Sequence, residues 1–342
     1  MVRLGKAMRR LLLLLAAVIF VLFVMWTLGP RPDVDTTVSF EAASIEADLD
    51  AYLERTEAAF GDIRPNQSKQ IVWADPATKQ ATPISLVYVH GFSASPTELR
   101  PLPDLVAQSL GANLFFTRLA GHGRTGDAMA EATVNQWVND IAEAIEIGRR
   151  LGDRVVLMGT STGATLVTWA MTQPDLADDV AATVMISPNF GLAASGSGIL
   201  TMPWGGQLAD LLIGSSRSFA PRNAAHAANW TTTYPTAALL PMAALVDLAG
   251  QAPVETIEVP TLFVYSEDDA IVRPERTAAM ATRWGAPTKT LLFTESDDPQ
   301  NHLVAGDIIS PSTTASLAAA IVDYLETLEL SRSPGLASRE NM

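Results

Sequence analysis

Val155-Val156-Leu157-Met158-Gly159-Thr160-Ser161-Thr162-Gly163-Ala164-Thr165-Leu166-Val167-Thr168-Trp169-Ala170 joins an apolar run, a Gly-x-Ser-x-Gly pentapeptide and a helix-forming run, in that order. A short unbroken run of branched and long apolar residues suits a strand buried on both faces. Glycines two residues either side of Ser161 leave open the space that a Cβ would fill in a sharp strand-to-helix bend. Such a bend projects the serine hydroxyl beyond the sheet edge. The helix N-terminus just after it favours negative charge developing on a nearby oxygen. The pentapeptide by itself is a weak signal; its strand-turn-helix setting is what makes it informative.

Outward from this stretch the chain alternates. Strands are expected at Lys69–Ala74, Ile84–Tyr88, Asn113–Thr117, Arg154–Met158, Ala182–Ile186, Thr261–Tyr265 and Thr290–Phe293. Helical periodicity marks Glu41–Phe60, Thr97–Leu110, Val134–Leu151, Thr162–Met171, Glu275–Trp284 and Thr313–Leu328. In Val134–Leu151, for example, Trp137, Ile141 and Ile145 recur every four residues. Alternating strands and helices with short connections predict a mostly parallel central sheet with helices on both faces. Residues 191–250 break the rhythm, being far longer than an ordinary crossover. That stretch opens on Gly191-Leu192-Ala193-Ala194-Ser195-Gly196-Ser197-Gly198 and continues apolar through Trp204, Trp230 and the run Ala237–Leu248. An insertion there overlies the carboxyl ends of the strands, where ligands of open α/β sheets bind. It is read as a helical cap, a decorative excursion being the plainer alternative.

The 342 residues include no cysteine, which excludes a disulfide framework, a thiolate nucleophile and cysteine-ligated metal. His90, His122, His226 and His302 are scattered, with no two at helical ligand spacing, so neither a metal nor a cofactor is expected. The net charge is −14, and Arg3, Lys6, Arg9 and Arg10 precede every acid, so residues 29–342 carry −18. A body this acidic argues against nucleic-acid binding, which relies on Lys and Arg against phosphate. Gly121-His122-Gly123-Arg124-Thr125-Gly126 matches a dinucleotide fingerprint, but the next strand ends in Met158-Gly159-Thr160 with no acid to hold a ribose.

Leu11–Leu28 is an uncharged run of 18 residues behind the basic decapeptide. It exceeds the ~7–15 apolar residues of a secretory signal, and no small-x-small cleavage site follows. An uncleaved anchor of about one membrane span fits better than a cleaved signal. The positive residues on its N-terminal side place the rest of the chain outside the cytoplasm. The expected organisation is a basic cytoplasmic head at 1–10, a transmembrane anchor at 11–28 and a stalk at 29–38. A globular domain at 39–330, with the cap at about 191–250, and a flexible tail at 331–342 complete it.

An acyl-transfer serine needs a base, an orienting acid and donors for the oxyanion. The strand Ser85–Val89 runs into His90-Gly91-Phe92, where the glycine lets the Phe92 N–H turn towards the serine. The Thr162 N–H, from the residue after the serine, would be its partner. Thr261–Tyr265 ends in Ser266-Glu267-Asp268-Asp269, which offers an acid, and His302 is the one histidine beyond it. Serine, acid, histidine is the order of nucleophile-elbow hydrolases. Plainer roles exist for each: Ser161 as a helix cap, the acids as turn residues, His302 as a surface residue. His90 is expected to be structural, its ring bonding the neighbouring loop.

Val87–Phe92, Arg118–Gly123, Gly159–Gly163, Asp269–Val272 and His302, in that order, resemble the α/β-hydrolase superfamily, in particular its bacterial carboxylesterase and monoglyceride-lipase branch. The resemblance spans roughly 83–328. It implies an α/β-hydrolase fold in which Ser161 is the nucleophile, Asp269 the acid and His302 the base. It favours Asp269 over Asp268 because the family's acid is commonly followed three positions later by an apolar residue, here Val272. Two departures are Asn301, where many relatives carry glycine, and the acidic stretch Thr294–Pro299. The implied activity is that of a serine hydrolase of carboxylic esters acting on a small-molecule or lipid ester, with Phe92 and Thr162 as the oxyanion hole. Trp204 and Trp230 in the cap are candidate substrate-binding residues. The alternatives are a non-catalytic binding module on the same fold, or a thioesterase, acyltransferase or serine peptidase using the same residues. Oligomeric state is not specified by the sequence.

Overall fold

The computed structural model describes residues 2–330; the expected tail at 331–342 lies outside the described residues. Its strands are β1 (Gln70–Val72), β2 (Ser85–Val89), β3 (Asn113–Phe116), β4 (Val155–Thr160), β5 (Val180–Ile186), β6 (Ser216–Ser218), β7 (Thr233–Pro235), β8 (Thr261–Tyr265) and β9 (Thr288–Leu292). Seven of them form one sheet in the order β1-β3-β2-β4-β5-β8-β9, while β6 and β7 pair separately. Only β1 runs antiparallel to its neighbour in the large sheet. The chain builds outward from β2 to β3 and then returns to β4 on the other side. The crevice between the carboxyl ends of β2 and β4 is therefore a topological switch point, the usual ligand position in such sheets.

Alternation along the strands sorts the core into two layers. Leu86, Tyr88, Val156, Met158, Val184 and Ile186 pack with helices Leu102–Leu110 and Pro311–Thr327. Val87, Val89, Val155, Leu157, Met185 and Phe263 pack with helices Leu49–Glu57, Val134–Leu151, Thr162–Met171 and Leu239–Gln251. Both faces of the central strands are buried, which is why those strands read as continuous apolar runs. Each such side chain taken fully out of water contributes roughly 1.5–3 kcal/mol.

Differences from the sequence reading have local causes. The helix expected over Glu41–Phe60 starts only at Leu49, because the Asp48 carboxylate accepts the Ala51 N–H at 3.1 Å and caps it there. The helix expected from Thr97 starts at Leu102, with Pro101 at its N-cap and Pro103 in the first turn, where a missing N–H breaks no helix bond. β4 runs two residues further than expected, so the ladder leads straight into Ser161. The run Ala237–Leu248, counted with the cap, forms helix Leu239–Gln251, which packs on Thr162–Met171 and buries Met242, Ala244, Leu245 and Val246. A parallel β5–β8 connection needs such a crossover helix on the sheet. What lies beyond the strand ends is 191–238: a 3-10 turn at Ser197–Thr201, helix Gly205–Ile213, the β6–β7 ribbon and helix Ala224–Asn229.

At the N-terminus, Val2–Leu28 is one helix, of which Gly5–Leu28 is long and apolar enough to cross a membrane and is unburied by the rest of the chain. The segment 29–38 that follows is tied down at both ends. Pro30 O accepts the Trp204 N–H at 2.8 Å, and Thr37 O accepts the Asn135 and Asn139 side-chain amides at 3.0 and 3.1 Å.

Candidate active site

Ser161 follows β4 directly and has φ 51° and ψ −117°, a conformation that a side chain adopts only under constraint. The constraint is packing. A Cβ at Gly163 would lie 2.2 Å from Val89 O, and one at Gly159 2.7 Å from Ala164 Cα. Both glycines are thus required by the close crossing of β2, β4 and helix Thr162–Met171. Ser161 N–H donates to Ile186 O at 2.9 Å, tying the bend to β5.

Asp269 leaves the end of β8 with its Oδ1 accepting the Ile271 and Val272 N–H groups, at 2.8 and 3.0 Å. Its Oδ2 is 2.7 Å from His302 Nδ1. Asp268, the neighbouring acid, is exposed and does not meet the ring. Burial disfavours the charged imidazolium of His302, but the Asp269 hydrogen bond and charge, reinforced by Glu98 and Asp298, hold its pKa above the ordinary histidine value. The His302 loop is held in turn by Asp298. Its Oδ2 accepts the His302 and Leu303 N–H groups at 3.1 and 2.9 Å, and its Oδ1 takes the Gln300 N–H at 3.0 Å. Arg222, from the insertion, lies 2.6 Å from Asp298 Oδ1. Asn301 has φ 51°, which accounts for glycine being usable there and for asparagine being tolerated. Ser187, after β5, donates to His302 O at 2.6 Å and closes the loop against the sheet.

The Phe92 and Thr162 N–H groups have no acceptor among the described residues. Both residues border, with Ser161 and His302, a cavity of about 830 Å³. Its remaining wall is mostly apolar and comes largely from the insertion: Leu192, Leu200, Leu212, Ile213 and Trp230. Trp230, expected at the substrate, is buried in this wall with its ring against His226 at 4.6 Å. Trp204 is a correction: it is not among the cavity residues. It adopts φ 64° ahead of helix Gly205–Ile213 and its indole N–H donates to Met25 O at 2.9 Å, which turns the ring outward to the N-terminal helix.

Glu98 is a site residue that the sequence did not single out. It is buried, borders the cavity, and accepts the Gly91 N–H and the Tyr88 hydroxyl on Oε2, both at 2.8 Å. Burial pushes its carboxyl up to about 7. Its only sequence signal was an acid eight residues after His90, indistinguishable from a helix-start residue. His90 does bond its neighbours as expected: Nδ1 reaches Gly91 O at 2.9 Å and Nε2 accepts the Leu119 N–H at 3.1 Å. Burial drives its pKa well below the ordinary value, which keeps the ring neutral. Among the described residues no group of three His, Cys, Asp or Glu side chains could hold a metal ion.

The fold and this strand-end arrangement define a class, and comparison with known proteins gives the same one. The alpha/beta hydrolase family model matches residues 86–306, and the chain belongs to that family. Its sequence is 28% identical over 202 residues to a thermostable monoacylglycerol lipase of Bacillus sp. (strain H-257), covering 59% of this chain and 76% of that protein. Among solved structures, it is similar to a metagenome-derived lipolytic enzyme, with a TM-score of 0.63 and 18% identity over 78% of this chain and 99% of the other. A monoacylglycerol lipase of Paleococcus ferrophilus gives 0.53 and 18% over 76% and 98%. At these identities the structural likenesses speak for the fold.

Proposed function

We propose that the chain is a serine hydrolase of carboxylic esters, with Ser161 as nucleophile, His302 as base and Asp269 as orienting acid. One observation carries this reading: a serine on a strained strand-to-helix bend shares a cavity wall with a histidine whose far nitrogen is held by a buried carboxylate at 2.7 Å. In this reading His302 takes the Ser161 proton as the hydroxyl attacks the ester carbonyl, and Asp269 stabilises the imidazolium without itself taking the proton. The tetrahedral oxyanion is received by the Phe92 and Thr162 N–H groups at a helix N-terminus. His302 then returns the proton to the departing alcohol, and water cleaves the acyl-enzyme by the same route. The substrate is a lipophilic acyl ester, supported by the apolar lining and by the resemblance to monoacylglycerol lipases. In the same reading Leu11–Leu28 is an uncleaved anchor, with the basic head at 1–10 in the cytoplasm and the catalytic domain outside.

The decisive experiment is fluorophosphonate labelling of the full chain, followed by turnover of p-nitrophenyl esters from acetate to palmitate. Labelling that Ser161→Ala abolishes, with turnover best at medium or long chains, is expected. Labelling that survives the substitution overturns the role of Ser161. Thioesters and peptides run beside the esters separate the other acyl-transfer chemistries.

A further inference from the structure

Beyond Val38, eight large apolar side chains of the described residues are exposed, and six of them fall within twelve positions: Met202, Trp204, Leu208, Leu211, Leu212 and Ile213. They lie on and just before helix Gly205–Ile213. Leu211 is 81% exposed and Leu212 62%, in a stretch whose one charged residue is Asp210. An apolar cluster of this kind on a folded domain marks a contact surface.

What covers it is indicated by where the N-terminal helix ends. The last four carbonyls of a helix have no partner within it. One of them, Met25 O, accepts the Trp204 indole N–H at 2.9 Å; the Trp204 backbone N–H goes to Pro30 O at 2.8 Å. The Trp204 ring lies over Gly29, where a Cβ would come within 2.4 Å of it. The outer end of the span and the start of the exposed helix are thus clasped together, through a residue type that favours the membrane–water boundary. The same helix also borders the cavity, through Ala209, Leu212 and Ile213.

We infer that the face carrying Leu208 and Leu211 rests on the lipid surface spanned by Leu11–Leu28, so that the cavity is loaded from that surface. The inference rests on the anchor and hydrolase readings above and adds where the substrate comes from. The face is nearly uncharged on a strongly acidic chain, so its affinity is for a neutral or zwitterionic surface, through apolar burial of a short interfacial helix. Leu208 and Leu211, three positions apart, share one side of the helix and are not cavity residues.

The test uses the full chain in phosphatidylcholine vesicles, compared with a Leu208→Ser/Leu211→Ser double variant. Two substrates are assayed: water-soluble p-nitrophenyl butyrate and a long-chain monoacylglycerol dissolved in the bilayer. Turnover of the soluble ester is expected to stay within about twofold, and that of the bilayer ester to fall about tenfold. Because the chain has no cysteine, Leu211→Cys carries a single nitroxide label, expected to be relaxed by oxygen in preference to a water-soluble nickel chelate. A label relaxed mainly by nickel in vesicle-bound protein overturns the inference, as does an equal loss on both substrates. Dipolar broadening between labels, the sign of a second copy on this face, overturns it too. Failure to float with vesicles refutes the anchor, and failure to label with fluorophosphonate refutes the hydrolase; each is read separately from the label's depth.

Discussion

Helix Thr162–Met171 behind the serine and helix Gly205–Ile213 of the insertion are similar in length and both rich in apolar residues. Every residue of the first is buried, whereas the second leaves Leu208, Leu211, Leu212 and Ile213 exposed. The first is enclosed by β4, by helices Val134–Leu151 and Leu239–Gln251 and by the sheet beneath, so nothing in it can shift without moving Ser161. The second packs against the 3-10 turns at Ser197–Thr201 and Thr236–Ala238 and against β6, and its remaining surface meets cavity or solvent. Ser161 therefore stands on the part of the molecule that close packing fixes. The insertion helix that borders the cavity is packed less completely. Chemistry and selectivity should separate along that division.

Substitutions in the two regions test the separation. The largest effect is expected from Ser161→Ala, which should lower kcat by about five to six orders of magnitude, as loss of a nucleophile does in serine hydrolases. Its thermal unfolding should match the parent's, measured by circular dichroism. Next, Asp269→Asn should cost about four orders of magnitude in kcat by removing the acceptor that fixes the His302 ring. Asp268→Asn should stay within about twofold in the same assay. The reverse result would mean that the two acids exchange places at the end of β8.

Arg222→Ala crosses the division, because Arg222 belongs to the insertion and holds Asp298 in the His302 loop. About a tenfold loss in kcat is expected for all esters alike, since small displacements of a reacting group are costly. A loss confined to long-chain esters would show that the insertion acts on selectivity alone. Trp230→Ala should raise KM for long-chain esters a few-fold and leave p-nitrophenyl acetate unchanged, as read from paired kcat and KM values.

The smallest effect is in pH dependence. The base must be neutral to accept a proton, and its pKa is raised, so kcat/KM should fall as pH drops through a midpoint above 6.5. Glu98→Gln removes one of the negative charges that support the imidazolium, so that midpoint should move to lower pH. Acyl-chain preference should not move with it. A midpoint that stays put would mean that the Glu98 charge does not reach His302.

The parts of the fold legible in the sequence were those whose environment imposes a pattern. Strands buried on both faces, and helix Val134–Leu151 with Trp137, Ile141 and Ile145 at four-residue spacing, left clear signals. Boundaries set by a single side-chain bond, such as Asp48 on Ala51, did not. Ser161, Asp269 and His302 were readable because each follows a strand end or a recurring motif. The geometry joins Asp269 to His302, but the Asp298 strut and Glu98 depend on residues brought together from distant segments. Trp204 shows the converse failure: composition suggested an apolar wall, and no sequence pattern could show which way its ring would turn.

β9 closes one side of the large sheet with Thr288, Lys289 and Thr290 all exposed. An outermost strand offers unpaired backbone groups to any neighbouring chain, and molecules confined to a plane meet one another far more often than molecules in free solution. Five residues long and carrying a lysine, β9 makes a poor template: a second chain adding there would have to accommodate the ammonium group. That short, charged strand disfavours growth of the sheet from molecule to molecule, and under the anchored reading proposed above it would do so where crowding in a membrane plane favours such growth.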